Sequence, residues 1–408
     1  MWEQIRSNQI RSVILVIAMG ILLVAIGYAI GFYFFESAVV GLILAIILWG
    51  ILNLIAFFQG DNILLAISRA RKIKPEDHPR LYNVVEEMKI ASGLEKMPDV
   101  YIIDDPALNA FATGRNPDRA AVAITSGLLQ KLNRDELQGV IAHEIAHIKN
   151  RDVLLMALCS VLLGTIVILA FFASRFLIFG AITGGAGRSR RSSSQGGGQA
   201  QIIIMVVGLA LMILAPIAAQ LIYFAISRKR EYLADASSAL YTRYPEGLAS
   251  ALEKLGNSTA QLQSANQATA PMYITNPFRQ KGMKASDLSS THPPLSERIR
   301  ILRAMAGGAA LADYDQAYRQ VHAGGKGVIA AGTMGAVGAV GLRSAEPEAV
   351  TKEPEAEHLE RSREVSDLML RMNKYRTIPC DCGTKLKLPP TYKDSIVKCP
   401  HCGRINHV

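Results

Sequence analysis

His143-Glu144-Ile145-Ala146-His147 decides the reading of this chain. On a helix, residues four apart share a face, so both imidazoles can reach one metal ion. Glu144 projects beside them, where it can take a proton from an attacking water. Two metal ligands and a general base at this spacing are the zinc-peptidase arrangement. The bland alternative is a surface helix with two solvated histidines. The flanking residues favour the first reading. Asn133 with Glu136 three residues on makes a helix start of the capping-box kind. Leu137, Val140, Ile141, Ile145 and Ile148 then supply an apolar stripe. The helix is expected from about Arg134 to Asn150. It carries Arg134, Asp135, Glu136 and Lys149, so it is not a membrane span, which argues against an intramembrane protease.

The chain has 408 residues, half of them hydrophobic and 19% charged. Four apolar segments account for this: Ser12 to Phe35, Ser37 to Gly60, Val153 to Ser174 and Ile202 to Ile226. Each is long enough for a bilayer core of ~30 Å. The first is too long for a cleavable signal and leads straight into the second. The last two are expected to form a hairpin, one arm of which abuts the catalytic helix. Arg6 and Arg11 precede the first span, and Arg69, Arg71, Lys72 and Lys74 follow the second. Basic residues favour the cytoplasmic side. The N-terminus, the segment from Asp61 to Asp152, and the chain after Arg228-Lys229-Arg230 are therefore expected in the cytoplasm. The Gly/Ser-rich loop from Gly184 to Gln199 runs against this, because it carries Arg188, Arg190 and Arg191 yet falls outside. Basic residues beside anionic lipid account for much of the net charge of +10, and no nucleic-acid partner is expected.

A catalytic zinc needs a third protein ligand and one open position. After the fourth span comes Ser227-Arg228-Lys229-Arg230-Glu231-Tyr232-Leu233-Ala234-Asp235-Ala236. Glu231 and Asp235 are four apart. Glu231 is expected as the third ligand. Asp235 is expected to accept the free N–H of His143, fixing its tautomer.

Taken together, these motifs resemble the HtpX-type membrane zinc metalloproteases, bacterial heat-shock proteases related to the eukaryotic CAAX prenyl protease. The residues that carry the resemblance are His143-Glu144-x-x-His147 with Asn150-Arg151-Asp152, the Ser227 to Asp235 segment, Asn109-Ala110-Phe111-Ala112-Thr113-Gly114, and Thr291-His292-Pro293-Pro294 with Arg298. They occur in order and cover roughly residues 1 to 305. The resemblance implies a mainly α membrane protein with a cytoplasmic gluzincin-type α+β protease domain. It implies an edge strand that pairs with the substrate backbone, with Asn109 and Phe111 contacting the peptide. It also implies that His292 stabilises the oxyanion and that Arg298 anchors the same region by pairing with an acidic group.

Beyond about Met305 that pattern stops. Residues 306–375 read as a linker, Gly/Ala-rich and then acidic, with a helix expected near Glu360 to Met372. Residues 376–408 hold four of the five cysteines: Cys380-Asp381-Cys382-Gly383 and Cys399-Pro400-His401-Cys402-Gly403. Each pair precedes a glycine that lets the backbone fold back on the thiolates. The spacing suits a zinc ribbon, a structural zinc held by all four thiolates, although the first pair is one residue tighter than Cys-x-x-Cys. Iron fits the same donors, and a redox dithiol set is the non-metal alternative. So small a domain depends on metal for its stability.

The expected molecule is a zinc endopeptidase of the cell (inner) membrane, with protein or peptide substrates that the resemblance implies are misfolded membrane proteins. Catalytic zinc would sit on His143, His147 and Glu231. A prenyl-protein peptidase would use the same residues but calls for a wide intramembrane chamber and more spans. A non-catalytic zinc-binding membrane adaptor would have no use for Glu144.

Overall fold

The computed structural model describes residues 2–34, 37–154, 163–171, 228–263, 272–275, 292–305, 307–329, 340–343 and 355–408, with a few isolated positions. Half of the expected span Val153 to Ser174, most of the span Ile202 to Ile226 and all of the loop Gly184 to Gln199 lie outside the described residues.

Two long helices open the chain, α1 (Trp2–Phe34) and α2 (Ala38–Ile67). Among the described residues, α2 is the helix long and apolar enough to cross a membrane. Its outward face carries Val39, Ile43, Ile47, Ile51 and Leu54, all exposed. Its inward face is small. A Cβ on Gly41 would lie 2.1 Å from the Gly27 carbonyl oxygen and 2.5 Å from Gly31 Cα, so the two helices touch backbone to backbone. Leu163 and Ile166, in the described part of the third apolar segment, pack on Met19, Leu23 and Ile26 of α1. Below Gly60, α2 continues to Ile67, and Leu64 and Leu65 are buried in the domain that follows.

That domain contains a four-stranded sheet. Its strands are β1 (Arg71–Lys72), β2 (Asp99–Ile103), β3 (Ala110–Gly114) and β4 (Ala120–Thr125), in the order β1-β2-β4-β3. The strand expected at Asn109 to Gly114 forms as β3, and it is not a neighbour of β2. β4 pairs parallel with β2 and antiparallel with β3, so β3 lies at the edge. Around the sheet stand α3 (Pro79–Ser92), α4 (Ser126–Lys131), α5 (Arg134–Lys149), α6 (residues 228–242), α7 (Pro245–Asn257) and α8 (Leu295–Arg303). The reciprocal capping box of Asn133 and Glu136 starts α5. From Glu136 to Ile148 every residue of this helix is buried, so it is a core helix and not a surface one. Glycine allows the contact: a Cβ on Gly139 would lie 2.6 Å from the Leu248 nitrogen of α7.

The stretch 306–375, which reads as a linker, is largely docked where it is described. It forms α9 (Leu311–Val321) and α10 (Glu355–Met372). Leu311, Tyr314, Ala317, Ile329, Val365 and Leu368 join the main core. The linker composition conceals a few apolar residues at helical spacing, and these find a receiving surface on α4 and α8. Two hairpins close the chain, β5 (Arg376–Pro379) with β6 (Lys385–Leu388) and β7 (Ile396–Lys398) with β8 (Ile405–His407).

Candidate active site

α5 presents His143 and His147 inward, and α6 brings Glu231 to meet them. His143 Nε2 lies 3.3 Å from His147 Nε2 and 3.6 Å from Glu231 Oε2, and His147 Nε2 lies 3.4 Å from Glu231 Oε1. Ligand atoms at tetrahedral positions 2.0–2.1 Å from zinc stand about 3.3–3.4 Å apart. The three side chains therefore fit one ion. Glu231 is itself buried, so its carboxylate is held among cationic and metal-ligating groups rather than in solvent.

The far side of each imidazole is also occupied. His143 Nδ1 is 2.9 Å from Asp235 Oδ1, the partner expected from the sequence. His147 Nδ1 is 3.3 Å from Asp152 Oδ2. With each Nδ1–H held by a carboxylate, both Nε2 lone pairs face the metal position. Asp152 is a functional partner that its place in the sequence does not reveal. The contact depends on Arg151, whose left-handed φ of +58° ends α5 and folds the chain back. A non-glycine residue in that conformation is uncommon and often marks a functional turn. From sequence, the only signal was an acidic residue just past the helix end.

Arg298 on α8 is wholly buried. Its Nη2 and Nε reach Asp235 Oδ1 and Oδ2 at 2.6 and 2.8 Å, and its Nη1 lies 3.3 Å from the Ile274 carbonyl. The expected acidic partner is thus Asp235. Burial works against the Asp235 carboxylate, but Arg298 and His143 outweigh it and lower the pKa. Around Glu231, burial is likewise outweighed by His292, His143 and His147, which hold the group well below the usual carboxylate range. His292 Nδ1 stands 2.8 Å from Glu231 Oε2, so His292 is at the site. Glu144 is fully enclosed. Burial raises its pKa, and the opposing pull of the two histidines and the Ala112 backbone does not cancel that rise.

The Ala112 contact places β3 against the site. The Thr125 N–H donates to the Asn109 carbonyl, so Ala110, Ala112 and Gly114 turn their backbone groups away from β4. At one end of this edge, the Ala110 carbonyl accepts the Ile274 N–H at 3.0 Å. Asn109 is buried and bound to the same segment, its side-chain amide donating to the Thr275 carbonyl at 3.1 Å. Phe111 points to the sheet face opposite Ala110 and Ala112, edge-on to Tyr273 with ring centroids 5.2 Å apart. The peptide-contacting side chains expected at these two positions are therefore engaged within the protein.

In the ribbon, Cys380, Cys382, Cys399 and Cys402 converge. Their sulfurs are 3.6 Å (Cys380–Cys402) and 3.7 Å (Cys382–Cys399) apart. A tetrahedral site with 2.3 Å metal–sulfur bonds has sulfurs about 3.8 Å apart, whereas a disulfide would bring them to about 2.0 Å. Gly383 and Gly403 adopt φ of +86° and +76°, the reversal that both knuckles need.

The family model described as Peptidase family M48 matches residues 75–306. The chain belongs to this family. Its relatives include a "Protease HtpX homolog" of Streptococcus uberis, 42% identical over 305 residues, which are 75% of this chain and 100% of that protein. Another protein of that name, from Dictyoglomus turgidum, is 44% identical over 74% of this chain and 94% of its own length. A solved structure, S. mikatae Ste24p, aligns over 74% of this chain and 67% of its own with 20% identity and a TM-score of 0.40. As a member of the M48 family, the chain is a metallopeptidase whose substrates are proteins. The family match contains His143, Glu144, His147, Asp152, Glu231, Asp235, His292 and Arg298, and it stops short of α9, α10 and the ribbon.

Proposed function

We propose that this chain is a multi-pass membrane zinc endopeptidase, with its catalytic domain and C-terminus in the cytoplasm, that removes misfolded or damaged membrane proteins. The observation that carries the chemistry is the near-tetrahedral spacing of the His143, His147 and Glu231 ligand atoms beside a buried Glu144. Membrane attachment rests on α2. The cytoplasmic orientation rests on the Lys and Arg placement.

Zinc, when bound by those three residues, supplies a Lewis acid for the scissile carbonyl. The protein's own groups do the rest. Asp235 and Asp152 hold the histidine tautomers. Glu144 accepts the proton of the attacking water and delivers it to the leaving amine. His292, on the Glu231 side, donates to the developing oxyanion. The substrate backbone pairs with the outer edge of β3 near Ala112 to Gly114, an addition of a strand to the sheet. The four ribbon cysteines hold a second, structural zinc.

Glu144→Gln tests the reading. Gln keeps the shape but cannot take the proton. Casein digestion should fall on the order of 10²–10⁴-fold while bound zinc stays unchanged. Digestion at the wild-type rate by a zinc-loaded Gln variant would remove Glu144 from the mechanism.

A further inference from the structure

The zinc-ligand helix α6 is gripped on both sides of Glu231. Arg230 Nε lies 3.7 Å from Asp152 Oδ1. Tyr232 turns the other way. Its hydroxyl donates to Glu297 Oε1 on α8, and its ring meets Tyr318 of α9 edge-on, with centroids 5.1 Å apart. Tyr318 stacks on His322 at 4.1 Å. The His322 ring closes the circuit, with Nε2 at 2.9 Å from the same Glu297 Oε1 and Nδ1 at 2.9 Å from the Tyr318 carbonyl. Both ring nitrogens face acceptors.

α9 lies past residue 306, where the family match ends. The Streptococcus uberis relative is covered along its whole length by 305 residues of this chain, which leaves about a hundred residues over. Tyr314, Tyr318 and His322 are spaced four apart and lie along one side of α9 as it continues into its cap. Tyr314 is completely buried in the main core, so this side faces inward. The two residues it grips are neighbours of the site: Tyr232 adjoins Glu231, and Glu297 adjoins Arg298, which clamps Asp235.

We propose that α9 is a brace for the zinc site, with Tyr318 and His322 acting as positioning residues that fix α6 and α8 through the Tyr232–Glu297 pair. This rests on the metallopeptidase reading only for its activity readout. No contact joins the α9 residues Tyr318 and His322 to the ligand atoms of His143, His147 or Glu231 among the described residues. They set the angle at which Glu231 and Asp235 arrive. A ligand held by two helices whose mutual position can drift must be realigned each time metal binds, so losing the brace should lower affinity even with every ligand intact.

The test uses the full chain in detergent micelles, with zinc affinity measured by chelator competition and with kcat and KM for an unfolded protein substrate. His322→Ala should fold, since His322 is about one-third exposed. It and Tyr318→Ala should each weaken zinc binding roughly 10-fold, the lower end of the range for groups that orient ligands. Both should lower kcat more than they raise KM. Tyr318→Phe keeps the stacked ring and should match wild type. Wild-type zinc affinity and kcat in His322→Ala, with or without a lower melting temperature, would overturn the brace and leave α9 as ordinary packing. If wild type binds zinc but cleaves nothing, the peptidase reading fails, and the zinc titration of His322→Ala still decides for or against the brace.

Discussion

Arg298→Met would remove a guanidinium that has no access to solvent and strand the Asp235 carboxylate beside it, which has none either. Two hydrogen bonds to Asp235, at 2.6 and 2.8 Å, and one to the Ile274 carbonyl at 3.3 Å go at once. Met fills most of the volume, so little of the effect comes from a cavity. The dominant cost is an uncompensated buried charge, about 3–5 kcal/mol for breaking one side of a buried pair. For a domain of roughly 150–250 residues this lowers Tm by about 6–20 °C. Asp235 also holds His143 Nδ1 at 2.9 Å, so its displacement should weaken zinc about 10–100-fold. Thermal unfolding of the zinc-loaded protein in detergent, with chelator competition, reads both effects. Adding Asp235→Asn to Arg298→Met removes the stranded charge while leaving an oxygen for His143. The double variant should therefore be more stable than Arg298→Met alone. A single variant that melts within about 2 °C of wild type, or a double variant whose loss equals the sum of the singles, would refute the buried-charge argument.

Asp152→Ala should lower zinc affinity by about 10–100-fold through loss of the His147 partner, and unchanged affinity would mean that His147 needs no orienting group. Gly41→Leu should destabilise the α1–α2 pair, because its Cβ meets backbone at 2.1 Å, whereas a Cβ on Gly50 meets nothing within 4 Å, so Gly50→Leu should be silent. Equal protease sensitivity of the two variants would show that the helices do not pack as described. Deleting residues 376–408 should lower total metal by one ion per chain, measured by elemental analysis; an unchanged count would make the four cysteines a thiol set without metal.

The sequence by itself determined whatever rests on local periodicity. The i,i+4 spacing of His143 and His147, the Asn133–Glu136 cap, the length of the apolar run in α2 and the two Cys-Gly knuckles each depend on residues a few positions apart, where backbone geometry fixes the outcome. The Glu231–Asp235 pair was legible for the same reason, once a helix was assumed. Tertiary structure alone decided the rest. Asp152 reaches His147 only because Arg151 turns the chain back. β3 is an edge strand only because β4 inserts between it and β2. Arg298 finds Asp235 although the two stand 63 positions apart in the sequence. The stretch beyond Met305 has a linker's composition, yet α9 and α10 dock, because a few apolar side chains suffice when a complementary surface already exists to receive them. Such contacts are set by which surfaces meet in three dimensions, and no spacing along the chain encodes that meeting.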